Sequence, residues 1–355
     1  MWNEHDVDLP VEKIGDYGIM YDSLVLPPVV PEGRRGPMNV DYLRVSITDR
    51  CNLRCLYCNP SGCCHVMDGE GEILTFAEIC RVVGLFAQCG IRRVRLTGGE
   101  PLMRDNIVDL VEKLTALPHV EDVSITTNGV LLSGLAAELR EAGLSRLNVS
   151  LDAVTRPCYA QITGSDLLPQ VLEGIHAALE AGLAPVKINT VVMKGVNVTE
   201  ILSLARMSLE LPLLVRFIEY CPTGNQAYPA DLYVPNSEVR RMIEGPFGPL
   251  SPLVVAQGGG PAVYFKIPDS PGAVGFISGR SSVFCPQCNR LRLSSDGRVK
   301  PCLYSDHAYE VKSLLRAGVS DEPILSLIQK VLREKGHYTR ISSAGGSFCM
   351  QSIGG

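Results

Sequence analysis

Between residues 43 and 220 six short β-branched runs alternate with five longer amphipathic stretches, and few architectures accommodate that rhythm. The strand-like runs fall at 43–48, 93–97, 122–127, 146–151, 186–192 and 214–220, rich in Val, Ile, Leu and Thr. Apolar residues at helical spacing fill 76–88, 106–116, 131–142, 168–181 and 198–209. Parallel strands need crossover connections of this length, so each helix is expected to pass back over one face of a parallel sheet. Six such steps predict an α/β fold, an incomplete (β/α)6 barrel of the TIM type, with its site at the C-terminal strand ends.

The flanks read differently. Residues 1–40 contain Pro27, Pro28, Pro31 and Pro37 and no sustained period, which predicts an extended arm. Beyond Pro222 the chain turns rich in Pro and Gly, with strand-like runs at 253–256, 263–267 and 274–278 and helical patterns at 309–316 and 323–334. The expected organisation is an arm over 1–40, a barrel over 41–222 and a C-terminal region over 223–355. No repeat of solenoid period occurs.

A chain of 355 residues, 46 % hydrophobic and 20 % charged, can bury a full core without disulfides. The net charge of −5 and 6 % aromatic content argue against a nucleic-acid partner, so a polyanion site must come from locally clustered Arg and Lys. The first ten residues carry Glu4, Asp6 and Asp8 and no Lys or Arg, unlike a signal peptide. No run of about 18 apolar residues occurs, so a cytoplasmic protein with no membrane partner is expected.

The 13 cysteines are odd in number and clustered, a pattern that in a reducing compartment points to metal rather than to disulfides. Cys51, Cys55 and Cys58 follow the first strand, where a barrel carries its active-site loops. Three thiolates leave one position of an iron–sulfur cluster open to a small-molecule ligand. The same spacing also allows a structural zinc site completed by Cys64 or His65. Thr97-Gly98-Gly99-Glu100-Pro101 closes the second strand, where two glycines admit close backbone approach and a carboxylate can receive an ammonium group.

Cys285 and Cys288 precede Cys302, and the turn at Ser295-Asp296-Gly297-Arg298 is expected to form a hairpin that returns Cys302 to the first pair. A zinc knuckle completed by His307 or Cys349 is an alternative here. Arg290 and Arg292 alternate with Leu291 and Leu293, so on a strand both guanidinium groups share one side, an arrangement suited to a phosphate chain. The chain ends in Gly354-Gly355, thin enough to enter a narrow site.

The pairing of CNLRCLYC with a downstream TGGEP resembles the radical S-adenosylmethionine superfamily. With FCPQCNRLRL, the later PCL and the terminal Gly-Gly, residues 41–355 resemble its GTP-cyclising branch, which serves molybdenum cofactor biosynthesis. That resemblance implies two 4Fe–4S clusters, one on Cys51, Cys55 and Cys58 and one on Cys285, Cys288 and Cys302, with S-adenosylmethionine on the open iron of the first. It implies a 5′-deoxyadenosyl radical that takes the 3′ hydrogen of the GTP ribose, after which the 3′ carbon joins guanine C8.

Carried over by motif, Arg44, Arg95, Thr126, Lys187, Arg290 and Arg292 become GTP contacts, and Arg216 joins them. Tyr57, Gly99, Ser150 and Cys221 become S-adenosylmethionine contacts, with Glu100 and Asn128 as further candidates. No catalytic side chain is implied beyond the radical itself, with Gly354 and Gly355 in support. Cyclic pyranopterin monophosphate synthase is the implied downstream partner and a homodimer the implied assembly; no electron donor is named. Cys221 stands where the branch usually has Met, Asn59 where Met is frequent, and Cys63 and Cys64 have no counterpart role. A peptide-modifying two-cluster enzyme shares the first motif, and a non-catalytic zinc module would share the second.

Overall fold

The computed structural model describes residues 40–58, 72–221, 230–255, 260–282, 288–305 and 307–337. Residues 1–39 of the expected N-terminal arm, Cys63, Cys64, Cys285 and the terminal Gly354 and Gly355 lie outside those residues.

The six expected strands are β1 (Tyr42–Ser46), β2 (Arg93–Thr97), β3 (Asp122–Thr127), β4 (Arg146–Ser150), β5 (Val186–Val192) and β6 (Leu213–Glu219). They pair in chain order and all in parallel. The crossovers carry α1 (Phe76–Gln88), α2 (Ile107–Thr115), α3 (Ala136–Glu141), α4 (Arg156–Thr163), α5 (Leu168–Glu180) and α6 (Ile201–Glu210). Helix α3 starts five residues later than its apolar period suggested, because 131–135 is taken up by turns before the helix begins.

Alternation along each strand separates two environments. Leu43 and Val45 of β1, Val94 and Leu96 of β2, and Ile188 and Val192 of β5 are fully buried among helix residues such as Phe86, Leu110 and Ile175. The intervening residues point to the other face, and there the sequence is polar. A parallel sheet normally reads apolar on both faces, so a face of Arg, Lys, Asn and Thr marks a surface the fold reserves for something other than core.

The C-terminal region is built onto both edges of this sheet. It supplies α7 (Asn236–Phe247), β7 (Ser251–Leu253), β8 (Val263–Lys266), β9 (Ala273–Ile277), β10 (Arg290–Leu293), β11 (Arg298–Lys300), β12 (Tyr309–Glu310), α8 (Lys312–Arg316) and α9 (Asp321–Glu334). The order across the described sheet is β12-β11-β10-β1-β2-β3-β4-β5-β6-β9-β8-β7. Strand β10 pairs in parallel with β1, and β9 in parallel with β6. The expected hairpin is present, with β10 antiparallel to β11 and Gly297 at φ +79 in its turn. Residues 309–310 are strand rather than helix, because Tyr309 pairs with Val299 before α8 begins.

Helix α1 shows how local chemistry fixes this packing. Thr75 Oγ1 accepts from Glu78 N at 3.2 Å while the Glu78 carboxylate accepts from Thr75 N at 2.7 Å, a reciprocal cap typically worth about 1 kcal/mol. The same carboxylate pairs with Arg316 of α8 at 2.9 Å, and Arg81 pairs with Asp321 of α9 at 2.8 Å. Helix α9 buries Ile324, Ile328 and Val331, spaced by four and three residues, as its inner stripe.

Candidate active site

The polar face of the sheet forms the wall of a cavity of about 680 Å³. Strands β1 and β2 contribute Tyr42, Arg44, Arg95 and Thr97; β3 and β4 contribute Thr126 and Ser150; β5 and β6 contribute Lys187, Asn189 and Arg216; β10 contributes Arg290 and Arg292. All six basic residues expected to meet a nucleotide, and Thr126 with them, are therefore in one space.

Register makes them neighbours. Arg44 lies opposite Arg292 on one side and Arg95 on the other, and Lys187 lies one strand from Arg216. Arg44 is 9 %, Lys187 3 %, Arg216 6 % and Arg292 8 % exposed. Burial, then the neighbouring Arg292 and Arg95, hold the Arg44 guanidinium well below its usual range. Burial and the charges of Arg216, Arg146 and Arg95 push Lys187 down to about 6. Arg216 donates to Asn148 Oδ1 at 2.9 Å, yet its Nε has no hydrogen-bond partner among the described residues. Cations packed this tightly are costly unless an anion joins them.

At the C-terminal end of β1 the chain enters the first cysteine loop. Arg54 N donates to Thr163 O at 2.8 Å and Leu56 N to Ile162 O at 2.9 Å, which clamps the loop onto the end of α4. Cys51, Cys55 and Cys58 all line the cavity. Gly98, at φ +146, and Gly99 close the opposite side: Gly99 N donates to Thr48 O, and a Cβ on Gly99 would sit 2.0 Å from Arg50 O. No larger residue fits that crossing. Tyr57 lines the cavity and donates to Asp152 Oδ2 at 2.7 Å.

These residues fit an iron–sulfur cluster. Burial, then Asp152 and the other two thiols, raises Cys55 well above the usual thiol range, and burial with Cys51 pushes Cys58 up to about 12. Three thiols that oppose one another's ionisation become thiolates only against added positive charge, which cluster iron supplies.

Cys288 and Cys302 line the far part of the same cavity. Their surroundings differ in sign. Burial tends to raise Cys288, but the charges of Lys335 and Arg290 outweigh it and the thiol is lowered.

One expectation changes in detail. Glu100 does not line the cavity; its carboxylate turns inward and accepts from Thr127 Oγ1 at 2.7 Å, Asn128 N at 2.6 Å and Leu102 N at 3.0 Å. A short turn that needs its first amide satisfied has taken the carboxylate proposed for an ammonium group. Glu100 thereby positions Asn128, which does line the cavity and donates to Asn52 Oδ1 at 2.7 Å. Cys221 also lines it, and Gly279 leaves its sulfur room, since a Cβ there would lie 2.9 Å away.

Sequence reasoning passed over Tyr42, Asn189 and Lys335, which also line the cavity. The first two stand two residues from Arg44 and Lys187 on the same strands, so period-two reasoning could have found them. Lys335 had no such signal.

An open sheet of parallel βα steps, with three thiols in the loop after its first strand and a Gly-Gly crossing after its second, defines the radical S-adenosylmethionine class of enzymes. Residues 45–207 match the family model described as "Radical SAM superfamily", and residues 213–341 match "Molybdenum Cofactor Synthesis C". The chain is 44 % identical over 297 residues to "GTP 3′,8-cyclase" of Pelotomaculum thermopropionicum, covering 83 % of this chain and 91 % of that one. It is 45 % identical over 296 residues to the enzyme of that name from Moorella thermoacetica, again over 83 % and 91 %. Among solved structures, Streptococcus suis SuiB aligns with a TM-score of 0.55 at 16 % identity, over 82 % of this chain and 68 % of that one, a likeness of fold alone. The chain belongs to the GTP 3′,8-cyclase family.

Proposed function

We propose that this chain converts GTP to (8S)-3′,8-cyclo-7,8-dihydroguanosine 5′-triphosphate in molybdenum cofactor biosynthesis. The observation that carries the reading is the arginine row Arg292, Arg44 and Arg95, with Lys187 and Arg216, in the same cavity as the three-thiol loop. S-adenosylmethionine on the first cluster would supply a 5′-deoxyadenosyl radical able to take a hydrogen atom from the ribose 3′ carbon.

The protein's own residues supply the rest. Cys51, Cys55 and Cys58 hold the first cluster, Gly99 lets the cofactor's methionine lie against backbone, and Tyr57, Ser150 and Cys221 face the remainder of it. Asp152 holds the Tyr57 ring by its hydroxyl. Arg44, Arg95, Lys187, Arg216, Arg290 and Arg292 neutralise the triphosphate, with Thr126 beside them. Lys187, neutral near pH 7 without an anion, takes up a proton at Nζ as the phosphates arrive.

Parallel pairing sets the spacing. Cys51 follows the C-terminal end of β1, whereas Cys288 precedes the N-terminal end of β10 alongside it. A five-residue strand spans about 16 Å, room for a nucleotide between two clusters. The second cluster on Cys285, Cys288 and Cys302, the division near residue 222, and closure by Gly354 and Gly355 are parts of this proposal. So are a homodimer, transfer of product to cyclic pyranopterin monophosphate synthase and action in the cytoplasm; no described helix is long and apolar enough to cross a membrane.

The test is anaerobic incubation of the reconstituted chain with S-adenosylmethionine, dithionite and GTP, followed by mass analysis of the nucleotide. The expected product is a cyclised triphosphate formed together with 5′-deoxyadenosine. Cleavage of S-adenosylmethionine that never alters GTP at any concentration would refute the substrate, and zinc in place of iron would refute the reaction class.

A further inference from the structure

Cys288 and Cys302 come from opposite sides of the β10–β11 hairpin, and one side chain reaches both places. Lys335, in the short turn after α9, is 2 % exposed. Its ammonium lies 3.5 Å from Cys288 Sγ and 2.5 Å from the carbonyl oxygen of Pro301, the residue before Cys302. These acceptors are a thiol and a peptide carbonyl, neither of them a carboxylate. An ammonium buried on such partners is costly, and the cost falls sharply if the sulfur carries negative charge.

We infer that Lys335 is a positioning residue of the second iron–sulfur site: its ammonium donates to the Cys288 thiolate, ties that ligand to the Cys302 segment, and raises the reduction potential of the cluster they share. The inference rests on the proposal that Cys285, Cys288 and Cys302 hold a cluster. Three thiolates give a 4Fe–4S cluster a net negative charge that grows when an electron is added, so a fixed cation against one sulfur favours the reduced form. The placement also suits a lysine better than an arginine or an amide. A single compact ammonium on a flexible stem can donate to a sulfur and to a carbonyl at once.

The structure offers a rival role, since Lys335 lines the cavity and could meet a phosphate. The two roles separate experimentally. In full-length chain carrying Cys51→Ser, Cys55→Ser and Cys58→Ser, only the second cluster remains, and its midpoint can be followed by electron paramagnetic resonance during a dithionite titration. Lys335→Met in that background is expected to keep its iron and to lower the midpoint by at least about 59 mV, a tenfold change for a one-electron couple. Lys335→Arg is expected to recover most of the shift.

An unchanged midpoint in Lys335→Met, with GTP binding weakened instead, would assign Lys335 to the phosphates and overturn the inference. Loss of iron from both variants, with circular dichroism unchanged, would show packing rather than charge at work and would also overturn it. Iron absent from the background chain before any change at Lys335 would remove the second cluster itself, a failure of the underlying proposal visible without the lysine variants.

Discussion

Lys187 is the residue whose replacement gives the sharpest reading of the cationic wall. In the folded chain its ammonium is pushed from an ordinary 10.5 down to about 6 by burial and by Arg216, Arg146 and Arg95. Between those two values the unfolded chain holds a proton that the folded chain lacks, so stability rises with pH across that window. At pH 7 the penalty amounts to as much as about 5 kcal/mol, since each unit of displacement is worth about 1.4 kcal/mol. Lys187→Met keeps most of the buried stem and removes the charge. The cofactor-free variant is expected to unfold at higher urea concentration than wild type at pH 7, and its stability is expected to rise less steeply, by up to about 1.4 kcal/mol per pH unit, between pH 7 and pH 9. Calorimetry in buffers of different ionisation enthalpy should show proton uptake when GTP binds wild type and none with the variant. A midpoint equal to or below wild type, with an unchanged pH slope, would refute the picture of a lysine held neutral by its neighbours.

Four further outcomes follow from the site. Cys51→Ala is expected to abolish cleavage of S-adenosylmethionine, whereas Cys288→Ala should retain uncoupled cleavage and lose GTP turnover; equal loss of both with an intact first cluster contradicts that division. Gly99→Ala places a methyl group 2.0 Å from Arg50 O, so iron retention and S-adenosylmethionine binding should both fall, measured by iron content and equilibrium dialysis. Arg292→Ala removes a charge-assisted contact, and GTP binding should weaken by about 10- to 150-fold, the equivalent of roughly 1.5–3 kcal/mol. Removal of Gly354 and Gly355 should impair cyclisation while leaving the melting temperature within a degree or two, and full turnover by the shortened chain would discard the tail's role.

Much of this was legible before the structure because its signals are local. The six strands are visible as β-branched runs. Arg44 within YLRVS is the clearest case: a charge in an otherwise apolar strand has to point away from the core. What escaped was set by distance in the chain. Strand β10 pairs with β1, and Asn289 donates to Asp41 across 248 positions, a relation that leaves no trace in either segment alone. Lys335 sits in a run of charges that reads as a solvated helix end, and only the packing of α9 carries it to Cys288. Helix α7 leaves no clear sequence signal because Pro235 precedes it and Pro246 lies within its last turn, in a stretch rich in Pro and Gly. Beside two glycines Glu100 reads as facing a ligand, whereas Thr127, Asn128 and Leu102 claim its carboxylate in the folded chain, and Thr127 and Asn128 lie 27 and 28 positions away.

The pairing of β10 with β1 also bears on how the molecule is made. The three-thiol loop and the β1–β6 steps draw mostly on neighbouring sequence, so they can form while the ribosome is still producing the last third of the chain. The Arg292 side of the wall has to wait, since it docks on an edge laid down almost 250 residues earlier. Until then β1 presents an unpaired edge, the kind of surface that recruits foreign strands. The topology thereby sets an order: the three-thiol loop with Arg44, Arg95, Lys187 and Arg216 can assemble first, and Arg290 and Arg292 complete the wall last.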